Sequence, residues 1–138
     1  MGPGAFCVDY CGYHVSWELK SGNRIYYAHV GNPTACLDGC SSNPMDKSTP
    51  NGDAGVDAMI SVIAHELVEA ISDPVSDIDQ DRAWQDQWGY ENGDKCAWQY
   101  GKVHKDEHNA KYNVDFGDRK FLIQLNWDPV LQKCAVSG

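Results

Sequence analysis

The chain has 138 residues, enough for one domain with its own core. Its 20 acidic and 11 basic residues leave a net charge of -9, which excludes nucleic-acid binding, because that needs basic surface to displace counterions, and disfavours anionic membranes. No apolar run approaches a membrane span; the longest, Met59 to Ala64, is interrupted by Ser61.

The N-terminus carries neither a basic n-region nor an apolar h-region, so no signal peptide is present. Six cysteines, Cys7, Cys11, Cys36, Cys40, Cys96 and Cys134, point to disulfides and an oxidising compartment. A thiolate zinc site fits less well: the close pairs are spaced C-x3-C rather than C-x2-C, and the last two cysteines stand alone. The favoured pairing is Cys7–Cys11, Cys36–Cys40 and Cys96–Cys134, with exchanges among the first four left open. A disulfide framework without a leader predicts a mature or truncated chain. The one glycosylation sequon, at Asn32, is blocked by Pro33.

Residues 13–19 and 24–30 are rich in aromatic and β-branched side chains and are joined by Ser21-Gly22-Asn23, which predicts a β-hairpin. The Cys-, Pro- and Gly-rich stretch 31–55 is expected to be a crosslinked loop. A helix follows from Gly55 to Asp73. Val56, Met59, Ile60, Ile63, Leu67, Ala70 and Ile71 recur at three- and four-residue spacing and form an apolar stripe. Asp53 and Asp57 suit its N-terminus, and Pro74 stops it. After an acidic, Trp-rich segment, strands are expected at 96–100, 111–116 and 119–127, the last two split by a Gly117-Asp118 turn. FLIQLNW, residues 121–127, is expected to be a buried central strand. The expected fold is therefore α+β and disulfide-stapled: a mostly antiparallel sheet packed on one long helix, a zincin-like arrangement.

The helix carries His65, Glu66 and Glu69 in the pattern His-Glu-x-x-Glu. Residues four apart share a helix face, so His65 and Glu69 point the same way and Asp73 extends the line. This set lies opposite Ile63 and Leu67, facing solvent or a cleft. In the related His-Glu-x-x-His motif two imidazoles hold zinc and the adjacent Glu activates the bound water. Glu69 keeps a ligand at that spacing as a carboxylate, which zinc accepts. The alternative is the ordinary solvated side of an amphipathic helix. Glu91 or Asp94, in the turn-forming Glu91-Asn92-Gly93-Asp94 just before Cys96, is the expected third ligand, with Asp73 next. Asp77, Asp79 and Asp81 alternate as in a calcium loop, but the glycine and glutamate of an EF-hand are missing, which leaves only a weaker calcium site.

His14 and His29 fall in expected strands and are assigned structural roles; His104 and His108 are assigned to an exposed loop. No Gly-x-Ser-x-Gly elbow or phosphate-binding glycine loop occurs. Trp84, Trp88, Trp98 and Trp127, with Tyr90 and Tyr100, could line a groove, though core and sheet packing is the better account.

The blocks FCVDYCGYH, YAHVGNPTAC, Cys36-x3-Cys40, PNGDAGVDAM and RKFLIQLNWDP with Cys134 resemble the EXORDIUM-like, phosphate-induced protein 1 family. The resemblance runs from about Phe6 to Cys134 and includes all six cysteines. It implies an extracellular or cell-wall location and a role linked to growth, without an established enzymatic activity. Family members carry a substantial segment before the first cysteine block, so residues 1–138 would be a single domain from the C-terminal part of that region. Plant members lack His-Glu-x-x-Glu; HELVEAISDP followed by YENGDKCAW is similar instead to microbial and algal relatives that resemble metallopeptidases. On that likeness His65 and Glu69 would be zinc ligands, Glu66 the base, and Glu91 or Asp94 a further ligand. Two readings follow: a secreted zinc-dependent hydrolase acting on peptides, or a non-catalytic module binding a wall or cell-surface polymer or a partner protein.

Overall fold

The computed structural model describes residues 4–42, 48–75 and 83–136. Strands β1 (Gly12–Glu18) and β2 (Arg24–Val30) form an antiparallel hairpin in full register from Gly12↔Val30 to Glu18↔Arg24. Gly22 turns the chain with φ 82°, a conformation open to glycine at little cost. A one-turn helix α1 (Leu37–Cys40) precedes the long helix α2 (Ala54–Ser72), which matches the predicted span to within one residue at each end. Asp53 caps α2 by accepting from the Val56 amide at 3.0 Å, and Asp57 in the first turn holds Asn51. Pro74 follows the C-cap, as expected.

A second one-turn helix, α3 (Asn92–Lys95), comes next. Six short strands complete the described chain: β3 (His104–Lys105), β4 (Lys111–Tyr112), β5 (Val114–Phe116), β6 (Arg119–Phe121), β7 (Asn126–Asp128) and β8 (Lys133–Ala135). They pair antiparallel as β3–β4, β5–β6 and β7–β8, so the described residues hold four two-stranded ribbons in place of the single sheet expected. The Gly117-Asp118 turn joins β5 and β6 as predicted.

Three expected strands are corrected; the one at 111–116 breaks at Asn113 into β4 and β5, which pair with different partners. Residues 96–98 form a turn and 99–100 belong to no ladder, because Trp98 (φ 61°) and neighbouring Gly101 (φ 62°) take left-handed backbone that no strand accommodates. The strand expected at 119–127 breaks over 122–125. There the backbone amides of Ile123, Gln124 and Leu125 donate to Asn113 Oδ1, Ser61 Oγ and Gln99 O rather than to a ladder.

All six cysteines are paired. Cys96–Cys134 forms as expected, but the first four pair as Cys7–Cys36 and Cys11–Cys40, which corrects the favoured Cys7–Cys11 and Cys36–Cys40. Cys36 and Cys40 stand at either end of α1 with their sulfurs on one side, 3.9 Å apart. The segment Cys7–Cys11 faces them, so two crossing bridges form in parallel.

The hairpin, α1 and α3 all lie against α2. The buried hydrophobic residues among those described are few: Cys40, Val75, Cys96, Ala110 and Leu125. The apolar stripe of α2 is not its innermost face, since Ile63, Leu67 and Ile71 are exposed. Among the described residues no helix is long and apolar enough to cross a membrane.

Candidate metal centre

The innermost positions of α2 are Gly55, Ser61, Glu66 and Glu69, followed by the capping Asp73. Glu66 retains 5% of its exposure, Glu69 3% and Asp73 none. Ionised carboxylates are costly to bury unless something compensates them. Two histidines and two more acids meet them. On β1 the inward positions alternate His14 and Ser16, which brings the imidazole of His14 onto α2. Its Nδ1 lies 3.3 Å from Glu66 Oε2 and 3.7 Å from Glu69 Oε2. Its Nε2 lies 3.1 Å from the Asp73 carbonyl and 3.5 Å from Glu91 Oε1.

His65, on the next turn of α2, places Nε2 3.0 Å from Glu69 Oε1 and 3.5 Å from Asp94 Oδ1. The Asp94 amide donates to Glu69 Oε1 at 2.9 Å, joining α3 to α2. The rest of α3 is clamped from several sides. Asn92 pairs with the backbone of Trp127 in both directions, Gln124 Nε2 donates to the Gly93 carbonyl, and Cys96 is tied to Cys134. Lys95 reaches Asp86 at 3.1 Å and lies 4.4 Å above the Trp127 ring. Glu91 and Asp94 are thus presented by a fixed element despite its short length.

Two glycines make the close approach. A Cβ on Gly93 would come within 2.9 Å of His65 Cγ and 3.0 Å of Glu69 Oε1. One on Gly12 would meet Val62 at 2.7 Å and Glu66 Oε1 at 2.9 Å. The result is a cavity of about 200 Å³ lined by both histidines and by Glu66, Glu69, Glu91 and Asp94.

Burial lowers the pKa of both histidines, but the surrounding acids overcome it. Glu66, the Asp73 carbonyl, Glu91 and Glu69 hold His14 well above its ordinary value, and Asp94 and Glu69 raise His65 to about 10. Burial, then the charge of Glu69, pushes Glu91 up, while His65 holds Asp94 below the usual carboxylate range. Carboxylates outnumber imidazoles in the cavity by four to two.

Of the residues expected from sequence, His65, Glu66, Glu69, Glu91 and Asp94 come together. Asp73 adjoins them through its backbone; its carboxylate is engaged elsewhere, accepting from the Ala83 amide at 2.7 Å and Gln85 Nε2 at 3.0 Å. Asp77, Asp79 and Asp81 lie outside the described residues. His14, assigned a structural role on sequence, stands at the centre of the cluster. The available signal was Gly12 two residues earlier, a small residue on the same strand face. His29 packs among Phe6, Tyr10 and Tyr13, and His104 and His108 are exposed. Ligand atoms of two triads, His14–Glu69–Glu91 and His65–Glu66–Glu69, lie within 4.8 Å of one another.

Fold and site together describe a fully disulfide-bonded α+β domain built around a His–carboxylate cluster. The chain belongs to the phosphate-induced protein 1 family, whose conserved region matches residues 3–137. It is 33% identical over 154 residues to Protein EXORDIUM-like 5 of Arabidopsis thaliana, covering 94% of this chain and 42% of that protein. Against Protein EXORDIUM-like 3 of the same plant it is 31% identical over 152 residues, covering 94% of this chain and 44% of that protein. For EXORDIUM-like 4 the figures are 30% over 140 residues, 93% and 48%. The chain spans less than half the length of these curated relatives. No solved structure matches it.

Proposed function

We propose that this domain is a secreted, metal-dependent hydrolase of the peptidase type, with a zinc ion held by His65, Glu69 and Asp94. The observation that carries this is the surrounding of His65 Nε2: carboxylate oxygens at 3.0 and 3.5 Å, on a cavity wall shared with Glu66. Imidazole with carboxylate is a zinc donor set, whereas calcium takes oxygen alone. The His-Glu-x-x-Glu helix lying against an antiparallel hairpin supports the zincin-like reading. Full pairing of the cysteines supports an oxidising, extracellular setting.

When bound, the ion supplies Lewis acidity toward a carbonyl and lowers the pKa of a coordinated water. Glu66, one residue from His65 and facing the same cavity, takes the proton of the attacking water. His14 positions Glu66 through the 3.3 Å contact to Oε2. Asp73 holds the chain after α2 rather than ligating.

Elemental analysis of protein purified without affinity metals, followed by a peptide-hydrolysis screen, tests the reading. Zinc that is lost in His65→Ala, and hydrolysis that falls roughly 10²- to 10⁴-fold in Glu66→Gln with zinc retained, are the expected results. Unchanged hydrolysis in Glu66→Gln would remove its role as base.

A second reading, a non-catalytic module binding a wall or surface polymer, rests on a different surface. Trp17 and Ile25 are cross-strand partners on the hairpin face away from α2, with Tyr27 beside them, and all three are exposed. Amphipathic rings of this kind suit polymer contact. Polymer binding that survives chelation and is lost in Trp17→Ala would favour it.

A further inference from the structure

Resting on the metal-centre reading, we infer that the cluster holds two divalent ions rather than one, the second between His14, Glu69 and Glu91, with Glu69 shared by both. Three observations carry this.

The first is the division of Glu69. Its Oε1 faces His65 at 3.0 Å, while its Oε2 faces His14 at 3.7 Å, so the two oxygens of one buried carboxylate address two different imidazoles. A carboxylate so placed bridges ions, as in two-metal hydrolytic sites.

The second is the acceptor-only environment of His14. Nδ1 faces Glu66 and Glu69, and Nε2 faces the Asp73 carbonyl and Glu91. A neutral imidazole has one N–H, so one ring nitrogen faces oxygen lone pairs unless a second proton or a metal cation lies between them. An N–H donated to a backbone carbonyl or carboxylate, with the other nitrogen on metal, is how ligating histidines are usually oriented. Glu91 Oε1 is buried there and accepts no hydrogen bond.

The third is charge. Glu66, Glu69, Glu91 and Asp94 line one cavity with only neutral or singly cationic imidazoles to offset them. One divalent ion with neutral histidines leaves two negative charges uncompensated; two divalent ions match the four carboxylates. Glu66 and Glu69 are buried and Glu91 is largely so, which makes uncompensated charge there costly, while Asp94 reaches solvent.

The test is zinc stoichiometry on the full chain by equilibrium dialysis and elemental analysis. The expected result is two ions per chain, one in His14→Ala and in Glu91→Gln, and none in Glu69→Ala. Glu91→Gln keeps the side-chain volume, so it reports even if His14→Ala fails to fold. One ion in the native chain, retained in Glu91→Gln and lost in His65→Ala, would overturn the second ion and leave the single-metal reading standing. Two ions unaffected by Glu91→Gln and His14→Ala would place the second ion elsewhere and overturn the inference. No bound ion at all would overturn both.

Discussion

On one side of α2, Ser61, Glu66, Glu69 and the capping Asp73 are buried; on the other, Ile63, Leu67 and Ile71 meet solvent at 44%, 59% and 73% exposure. Burial of apolar surface drives folding, so the reverse arrangement is expected of an ordinary amphipathic helix. The inversion teaches that helical periodicity separates two faces without saying which one turns inward. Here the hairpin and α3, held in place by crosslinks, select the polar face. An interior with so few buried hydrophobic residues relies on covalent ties and on compensation of its charges.

If so, the largest effect comes from cutting a tie on the inner side. Cys96→Ala with Cys134→Ala opens a loop with a sequence separation of 38 and should lower unfolding free energy by about 4 kcal/mol. Chemical denaturation measures this, and a loss below about 1 kcal/mol would mean that α3 is held without the bridge. Next in size is Gly93→Ala, whose new methyl group presses on His65 and Glu69. Zinc affinity, read by competition with a chromophoric chelator, should fall at least roughly tenfold, as when the orientation of a ligand is disturbed. Gly39→Ala, where nothing lies within 4 Å of the added atom, is the control and should leave affinity unchanged. The smallest effect belongs to the outer face. Ile71→Lys should change stability by no more than about 0.5 kcal/mol and leave zinc binding intact. A larger loss would show that this stripe is covered in solution and that the two faces are less unlike than they look.

Local pattern made much of the scaffold legible. The hairpin followed from its aromatic and β-branched runs around Gly22, and α2 from its three-and-four spacing between Asp53 and Pro74. The His-Glu-x-x-Glu spacing and the acidic turn before Cys96 marked five of the six histidine and carboxylate side chains that line the cavity. His14 escaped because its partners Glu66 and Glu69 lie more than fifty residues along the chain, and the one local mark, Gly12 on the same strand face, does not say what the strand will cover. The broken strands escaped for a related reason. Trp98 adopts a left-handed backbone that its residue type disfavours, and Asn113 and Ser61 take up amides in 122–125 that the alternation of apolar side chains assigned to a ladder. The cysteine pairing depended on α1 setting two sulfurs side by side, a feature of one helical turn that spacing alone does not reveal.

Cys11 lies three residues before His14, and Cys96 two residues after Asp94, so a bridge stands beside the cluster residues that each outer segment contributes. Between them, α2 brings its own histidine and carboxylates from the middle of the chain. The cluster is therefore flanked by covalent ties on both outer segments. Pairing of Cys11 with Cys40 and of Cys96 with Cys134 ties down the segments that carry His14 and Asp94, so on the metal-centre reading a chain with scrambled bridges is expected to hold the cation poorly. On that reading the history of the cysteines, and not the supply of metal alone, governs how many molecules can be loaded.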